Sequence, residues 1–171
     1  MIEVKLNGSK VGSGTAIDFE PGFGVTHDGH TATITSPVLT ADVDVTRAEL
    51  LAMYTTPVEI VPAVAGKTIM VDSVDFILID VDGIKYVAGG VVGVQYKNTA
   101  NGAGQLVHDD IAATIFTNQM ATEHTKREPI DLDAIDIADL QGVGLYLSNK
   151  TAVFQIGTST AQVVVRYHLV D

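Results

Sequence analysis

Cysteine is absent from the 171 residues of this chain. A chain without thiols forms no disulfides, no thiolate metal sites and no cysteine nucleophile, so all three are excluded at once. Tryptophan is absent too, which weakens the case for a carbohydrate-binding module because its ring is the usual stacking platform for sugars. A protein without disulfides must gain stability elsewhere, and oligomerisation is a common source.

Positive charge is scarce. The chain has 10 Lys and Arg against 21 Asp and Glu, a net charge of −11, and no cluster of basic residues. Since nucleic-acid binding depends on neutralising phosphates, a nucleic-acid partner is disfavoured. No apolar run approaches the roughly 20 residues of a membrane helix, and the first residues lack the pattern of a secretory signal. We therefore expect no membrane partner, and synthesis and assembly in a cytoplasm.

Catalytic signatures are missing as well. Gly12-Ser-Gly14 lacks the spacing of a nucleophile elbow, and the glycines at 89, 90 and 93 lie in a strand pattern that opens no helix. A glycosidase-type pair of carboxylates stays open because acids are plentiful, but nothing singles out a pair. We predict that the protein is not an enzyme and has neither catalytic residues nor a cofactor.

Two segments contain residues that bind metals elsewhere. The acidic run 128–139 offers oxygen ligands at short spacing, but it lacks the glycine and the final glutamate of a calcium loop and alternates with Ile and Leu. This alternation favours a solvated edge or turn. His27 and His30 flank a turn, with Asp28 as the obvious further ligand nearby. We predict no metal site, and leave open whether the acidic run binds a cation.

Abundant Val, Ile and Thr, within 46% hydrophobic residues, indicate strands that surround a real core. We predict an all-β protein. A small N-terminal β-hairpin module occupies residues 1–37, with strands around Pro21-Gly22 and the Asp28-Gly29 turn. Residues 38–44 follow as a linker or a strand that crosses between the two parts, and a β-sandwich or jelly-roll-like domain with one or two short helices spans 45–171.

Within the second domain, Val45 to Met53 predicts a helix that Thr46 caps, with Glu49 completing a capping box. The long strand 68–80 is expected to bulge at Asp72-Ser73, where the buried face changes over. The remaining elements are predicted as a hairpin at Asp82-Gly83, a strand at 84–96, a short helix at 109–116, an exposed connection at 117–129, and late strands at 142–147 and 162–170.

Alternation along the long strand suggests which side chains meet a partner. Phe76 and Leu78 should face the core, so that Ile77 and Ile79 face a neighbouring subunit. The N-terminal module is too small to be stable alone and should pack on a partner as well. The predicted assembly contacts are Ile17, Phe19, Phe23, Val25, Ile77 and Ile79.

Several of these segments resemble parts of phage proteins. Residues 14–35, with Ile17-Asp-Phe19, Gly24-Val-Thr26 and Thr31-Ala-Thr-Ile-Thr35, resemble a short β-module of many tailed-phage fibre, baseplate and head-decoration proteins. Residues 46–71 are similar to the opening of a phage virion β-domain, and residues 161–171 are similar to its last strand.

The resemblance implies a structural protein of the virion, a capsid decoration or head-fibre subunit that binds the assembled capsid as an oligomer. Its partners would be copies of itself, in a homotrimer, and the major capsid protein or another virion protein. The alternative is a tail-tip or short tail-fibre adhesin that binds a host receptor.

Overall fold

The computed structural model divides the chain into two compact units, Met1–Pro37 and Val38–Asp171. It describes four strands of the first unit, by their backbone, and residues 38–130 and 137–170 of the second. The first unit pairs β1 (Ile2–Leu6) with β2 (Ser9–Gly14) and β3 (Gly24–His27) with β4 (Ala32–Thr35), both antiparallel. The β3–β4 pair confirms the strand pairing predicted on either side of Asp28-Gly29, which itself lies outside the described residues, whereas the β1–β2 pair was not foreseen.

Two four-stranded antiparallel sheets form the second unit and share one hydrophobic core, so the all-β prediction is confirmed. The first sheet has the order β11-β7-β14-β5, and the second has the order β10-β9-β12-β6. A short pair, β8 with β13, stands apart from both. In chain order the elements are β5 (Leu39–Val45), α1 (Arg47–Ala52), β6 (Val58–Val61), β7 (Thr68–Ile79), β8 (Val87–Ala88), β9 (Val92–Tyr96), β10 (Gln105–Leu106), α2 (Thr114–Thr117), β11 (Glu123–Arg127), β12 (Leu145–Asn149), β13 (Phe154–Gln155) and β14 (Thr160–Val170), with 3₁₀ turns at Ala100–Gly102 and Ile137–Leu140.

The core combines aliphatic side chains of both sheets with an aromatic cluster. Phe76 of β7 lies 5.5 Å from Phe116, measured between ring centroids, and Phe116 lies 4.5 Å from Phe154. Tyr86 completes the cluster at 5.3 Å from Phe154. All four rings are buried, so this cluster fills the core beneath the β8–β13 pair.

Helix α1 begins as the sequence predicts. The Thr46 side chain accepts a hydrogen bond from the Glu49 backbone N–H at 3.3 Å, and the Glu49 carboxylate accepts one from the Thr46 backbone N–H at 2.8 Å. This reciprocal pair satisfies two N–H groups that the first turn leaves without partners. The helix ends before Pro57, and Leu50 anchors it in the core.

The predicted bulge on β7 is confirmed. Arg166 of β14 pairs with Ser73 and the next residue, Tyr167, pairs with Val71, so Asp72 is the extra residue. Ahead of the bulge Ile69 and Val71 face the core, whereas beyond it the even-numbered Val74, Phe76 and Leu78 do. One inserted residue therefore lets a 12-residue strand keep its apolar side on the core along its whole length.

Two predicted connections each contain an edge strand. Residues 38–44, predicted as a linker or a crossing strand, contribute most of β5, in which exposed Thr40, Asp42 and Asp44 alternate with half-buried residues, so the strand is confirmed and the linker is wrong. Within 117–129, predicted as an exposed connection, β11 pairs with β7. Edge strands have a solvated face and need few apolar residues, and this polarity suggested loops.

Three further predictions need correction. The Asp82-Gly83 hairpin does not form, because both edges of β7 are already occupied by β11 and β14. The segment bends there instead, with Gly83 at φ +70° and its N–H bonded to the Asp80 carboxylate. The strand predicted at 84–96 breaks into β8 and β9 where Gly90 contacts Thr151 too closely for a Cβ. Helix α2 starts only at Thr114, since Ile111 is held extended by a bridge to Val92.

Candidate functional site

The predicted assembly contacts fall in two parts of the chain. Ile17, Phe19 and Phe23 lie outside the described residues. Val25 lies on β3 opposite Ile34, and its side chain is also outside what the structure describes. The two remaining contacts are Ile77 and Ile79 on β7, and they can be placed in full.

Ile77 and Ile79 lie on the outer face of the β11-β7-β14-β5 sheet. Both are half-buried, whereas Phe76 and Leu78 have no exposed surface, so the predicted alternation is confirmed. Ile77 lies between Gln162 on β14 and His124 on β11. Contact of these isoleucines with a neighbouring subunit stays a prediction.

Paired charges surround the isoleucines on this outer face. The Asp75 carboxylate, only 13% exposed, accepts a hydrogen bond from Arg166 Nη1 at 3.0 Å and lies 3.1 Å from His124 Nε2. Asp72 lies 3.2 Å from His168 Nδ1, and a similar contact of 2.9 Å joins the Gln162 amide to Asp42. These contacts link the four strands, although the buried Asp72 Oδ2 has no hydrogen-bond partner among the described residues.

A second surface, which the sequence analysis missed, lies at one end of the sandwich around β8 and β13. Large apolar side chains are exposed there, from 42% for Val153 to 80% for Met120. We call this group the end patch; its members are Val81, Ile84, Val87, Met120, Val153 and Ile156. Exposed apolar groups of this extent on a soluble domain commonly mark an interaction surface.

Backbone hydrogen bonds and one side-chain contact bring the three segments of the end patch together. Val87 pairs with Gln155 in the short ladder, and the Thr158 N–H donates to the Ile84 carbonyl at 3.1 Å. The Met120 sulfur lies 3.1 Å from Lys85 Nζ. The three segments of the end patch are therefore neighbours in space.

Beneath the patch, Tyr86 anchors these segments to the core. Its hydroxyl donates to the Ser159 carbonyl at 2.6 Å. Burial raises the pKa of Tyr86 to about 12, against a smaller opposing effect of Arg47, so the phenol stays protonated and keeps donating. The Arg47 guanidinium in turn donates to the Gly157 carbonyl.

The backbone of the end patch is strained. Ile156 has φ +55° and Ala88, across the ladder, has φ +57°. A β-branched residue rarely adopts this left-handed conformation, which costs of order 1–3 kcal/mol. The chain thus holds a strained isoleucine at a position where its side chain is 59% exposed. The sequence signal that could have revealed the end patch is an isolated apolar residue beside a turn glycine, as in Ile156-Gly157.

His108 is a fully buried histidine of the sandwich core, and its role is structural. The Val94 N–H donates to its Nε2 at 3.0 Å, so the proton sits on Nδ1, which donates to the Asp109 carbonyl at 2.6 Å. Burial lowers the pKa of His108 and keeps the ring neutral. The ring thereby accepts a hydrogen bond from the Val94 amide of β9, at a position beyond the end of β10.

The two segments considered for metal binding, 128–139 and the turn with His27 and His30, lie partly outside the described residues. Residues 131–136 of the acidic run and His30 are not described, and neither is the His27 side chain. In the described parts of the chain no group of three or more His, Asp and Glu side chains could hold a metal ion. Among those same residues, no helix is long and apolar enough to cross a membrane.

The described geometry thus offers two surfaces, the charged outer face and the end patch, as candidates for binding another macromolecule. Comparison with protein-family models, with curated proteins and with solved structures finds no match to this chain.

Proposed function

We propose that this protein is a structural subunit of a tailed-phage virion, a capsid decoration or head-fibre protein that binds the assembled capsid as an oligomer. The observation that carries the proposal is the division into two units between Pro37 and Val38. The segment most similar to phage fibre and decoration modules, residues 14–35, lies within the first unit. The segments similar to a virion β-domain, 46–71 and 161–171, lie within the second.

The second unit has the features of an independently stable part. Its core contains buried side chains of both sheets, and every strand of the two sheets comes from residues beyond 38. The first unit consists, in its described part, of two strand pairs, and a two-stranded hairpin alone is at best marginally stable in water. We therefore assign attachment to the virion to unit 1 and the projecting body to unit 2.

The test uses capsids that lack this protein, the full chain, and a fragment of residues 38–171. The fragment starts at Val38 because β5 begins at Leu39, and a later start would remove an edge strand. We expect the full chain to cosediment with capsids and the fragment to remain in the supernatant. Circular dichroism should show that the sandwich gives the same β signal in the fragment as in the full chain.

Fragment binding at full occupancy would reverse the assignment of the two units. If the full chain binds no capsid, cryo-electron microscopy of intact virions decides between the alternatives. Density at the tail tip would replace the proposal with the adhesin, and absence from the virion would refute both.

A further inference from the structure

We propose that the end patch is the surface through which one copy of this chain binds a second copy. The inference deepens the oligomeric part of the proposed function, because it names the contact. The apolar centre consists of Ile84, Val87 and Ile156, which are 49%, 51% and 59% exposed. An apolar centre with a polar rim is the usual anatomy of a protein interface.

Charge favours a second copy as the occupant. The chain has a net charge of −11, so two copies repel one another over most approaches. At the end patch both signs of charge are present: Asp80 and Asp82 lie on the bend that leads to Lys85, and Arg47 donates to the Gly157 carbonyl beside Ile156. Two copies can therefore meet at this surface with opposite charges facing each other.

The rim of the patch is also self-complementary. Lys85 Nζ has as its described partner only the Met120 sulfur, a weak acceptor, and the exposed Asp82 carboxylate has no partner among the described residues. These two charges lie on opposite sides of the Gly83-Ile84 bend. A second copy that places its Asp82 against Lys85 of the first would pair both charges of both copies. Such a reciprocal contact has two-fold symmetry and gives a dimer, in place of the homotrimer that the resemblance implied.

The outer sheet face, where the sequence analysis placed the subunit contact of Ile77 and Ile79, is a poorer surface for this contact. Its cationic side chains already have carboxylate partners within the chain, Arg166 and His124 at Asp75 and Lys126 at Glu128. An approaching acidic copy would find no unpaired cation among the described residues of this face to offset its own charge. The strain at Ile156 adds a second argument, since a left-handed isoleucine that projects into solvent does not stabilise the isolated chain.

The first experiment is a charge swap on the full chain, followed by sedimentation velocity over a range of micromolar concentrations. Lys85→Asp alone and Asp82→Lys alone should each weaken self-association, because each places like charges across the contact. The double variant, and an equimolar mixture of the two single variants, should restore it. Recovery of this kind requires that the partner is another copy.

The second experiment uses Ile156→Gly, which removes an exposed apolar side chain and relieves the backbone strain. Self-association should weaken about tenfold or more, whereas the urea midpoint of the monomer should stay level or rise. Val38→Ser, at an equally exposed apolar residue outside the patch, and Ile77→Ala on the outer face should leave association unchanged.

Three results would overturn the inference. One is a wild-type chain that stays monomeric at every concentration. The second is association that single charge swaps do not weaken, and the third is association lost in Ile77→Ala but kept in Ile156→Gly. If the chain is monomeric and the patch variants instead lose capsid binding, the occupant is the capsid. The role as a capsid-binding subunit then survives, whereas this inference, the oligomer and the assignment of attachment to unit 1 all fail.

Discussion

Replacing Phe76 with alanine tests the register of the longest strand and the aromatic cluster together. The Phe76 ring has no exposed surface and lies 5.5 Å from Phe116, which is itself held 4.5 Å from Phe154. Because these neighbours are fixed on both sides, the cavity cannot collapse easily. We therefore expect a loss of about 4 kcal/mol in the free energy of unfolding, within the usual range for buried phenylalanine.

Ile77 provides the matched control, one residue along the same strand and on the opposite face. Its side chain is half-buried on a face that is open to solvent, so Ile77→Ala leaves no cavity. We expect a loss of about 1–2 kcal/mol from partial burial alone. Urea denaturation followed by circular dichroism measures both values, at two protein concentrations so that dissociation is separated from unfolding.

Two outcomes of the comparison between Phe76→Ala and Ile77→Ala would contradict this reasoning. If Ile77→Ala costs as much as Phe76→Ala, or more, then the faces of β7 are exchanged and the pairing is wrong by one residue. A concentration-dependent loss confined to Ile77→Ala would place a subunit contact on the outer face and would contradict the end patch as the main contact.

Two further predictions concern single side chains. Burial lowers the pKa of His108 below its ordinary 6.5, so the unfolded chain binds the proton more readily. The contribution of His108 should be complete above about pH 6.5 and should decline as the pH falls through that value. His108→Gln should flatten this part of the curve of unfolding free energy against pH, and an unchanged slope would contradict the assignment. Thr46→Ala should cost about 1 kcal/mol by loss of the capping box, whereas Thr46→Ser should retain it. Equal losses in the two variants, measured by urea denaturation, would mean that the cap contributes nothing.

Local signals in the sequence predicted local structure well. The cap at Thr46 and the bulge at Asp72 depend on neighbouring residues alone, and both are present. The alternation of Phe76 and Ile77 likewise follows from the period of a strand. Such features need no knowledge of the tertiary fold.

The features that the sequence did not predict depend on pairing between strands that are distant in sequence. Asp82-Gly83 has the composition of a hairpin, but the edges of β7 are taken by strands distant in sequence. The polar edge strands β5 and β11 resemble loops because one of their faces is solvated. The end patch brings together segments near 84, 120 and 155, whose proximity depends on the complete sandwich and on no local pattern.

The position of β14 has a consequence for how the chain folds during synthesis. It is the last strand in sequence, yet it lies between β7 and β5, and it pairs Tyr167 with Leu39 at the other end of the unit. Until β14 is synthesised, β5 has no neighbouring strand and β7 is paired only with β11. Completion of the sheet therefore requires closure of a long loop between β5 and β14, which slows folding and prolongs the exposure of unpaired strand edges to aggregation.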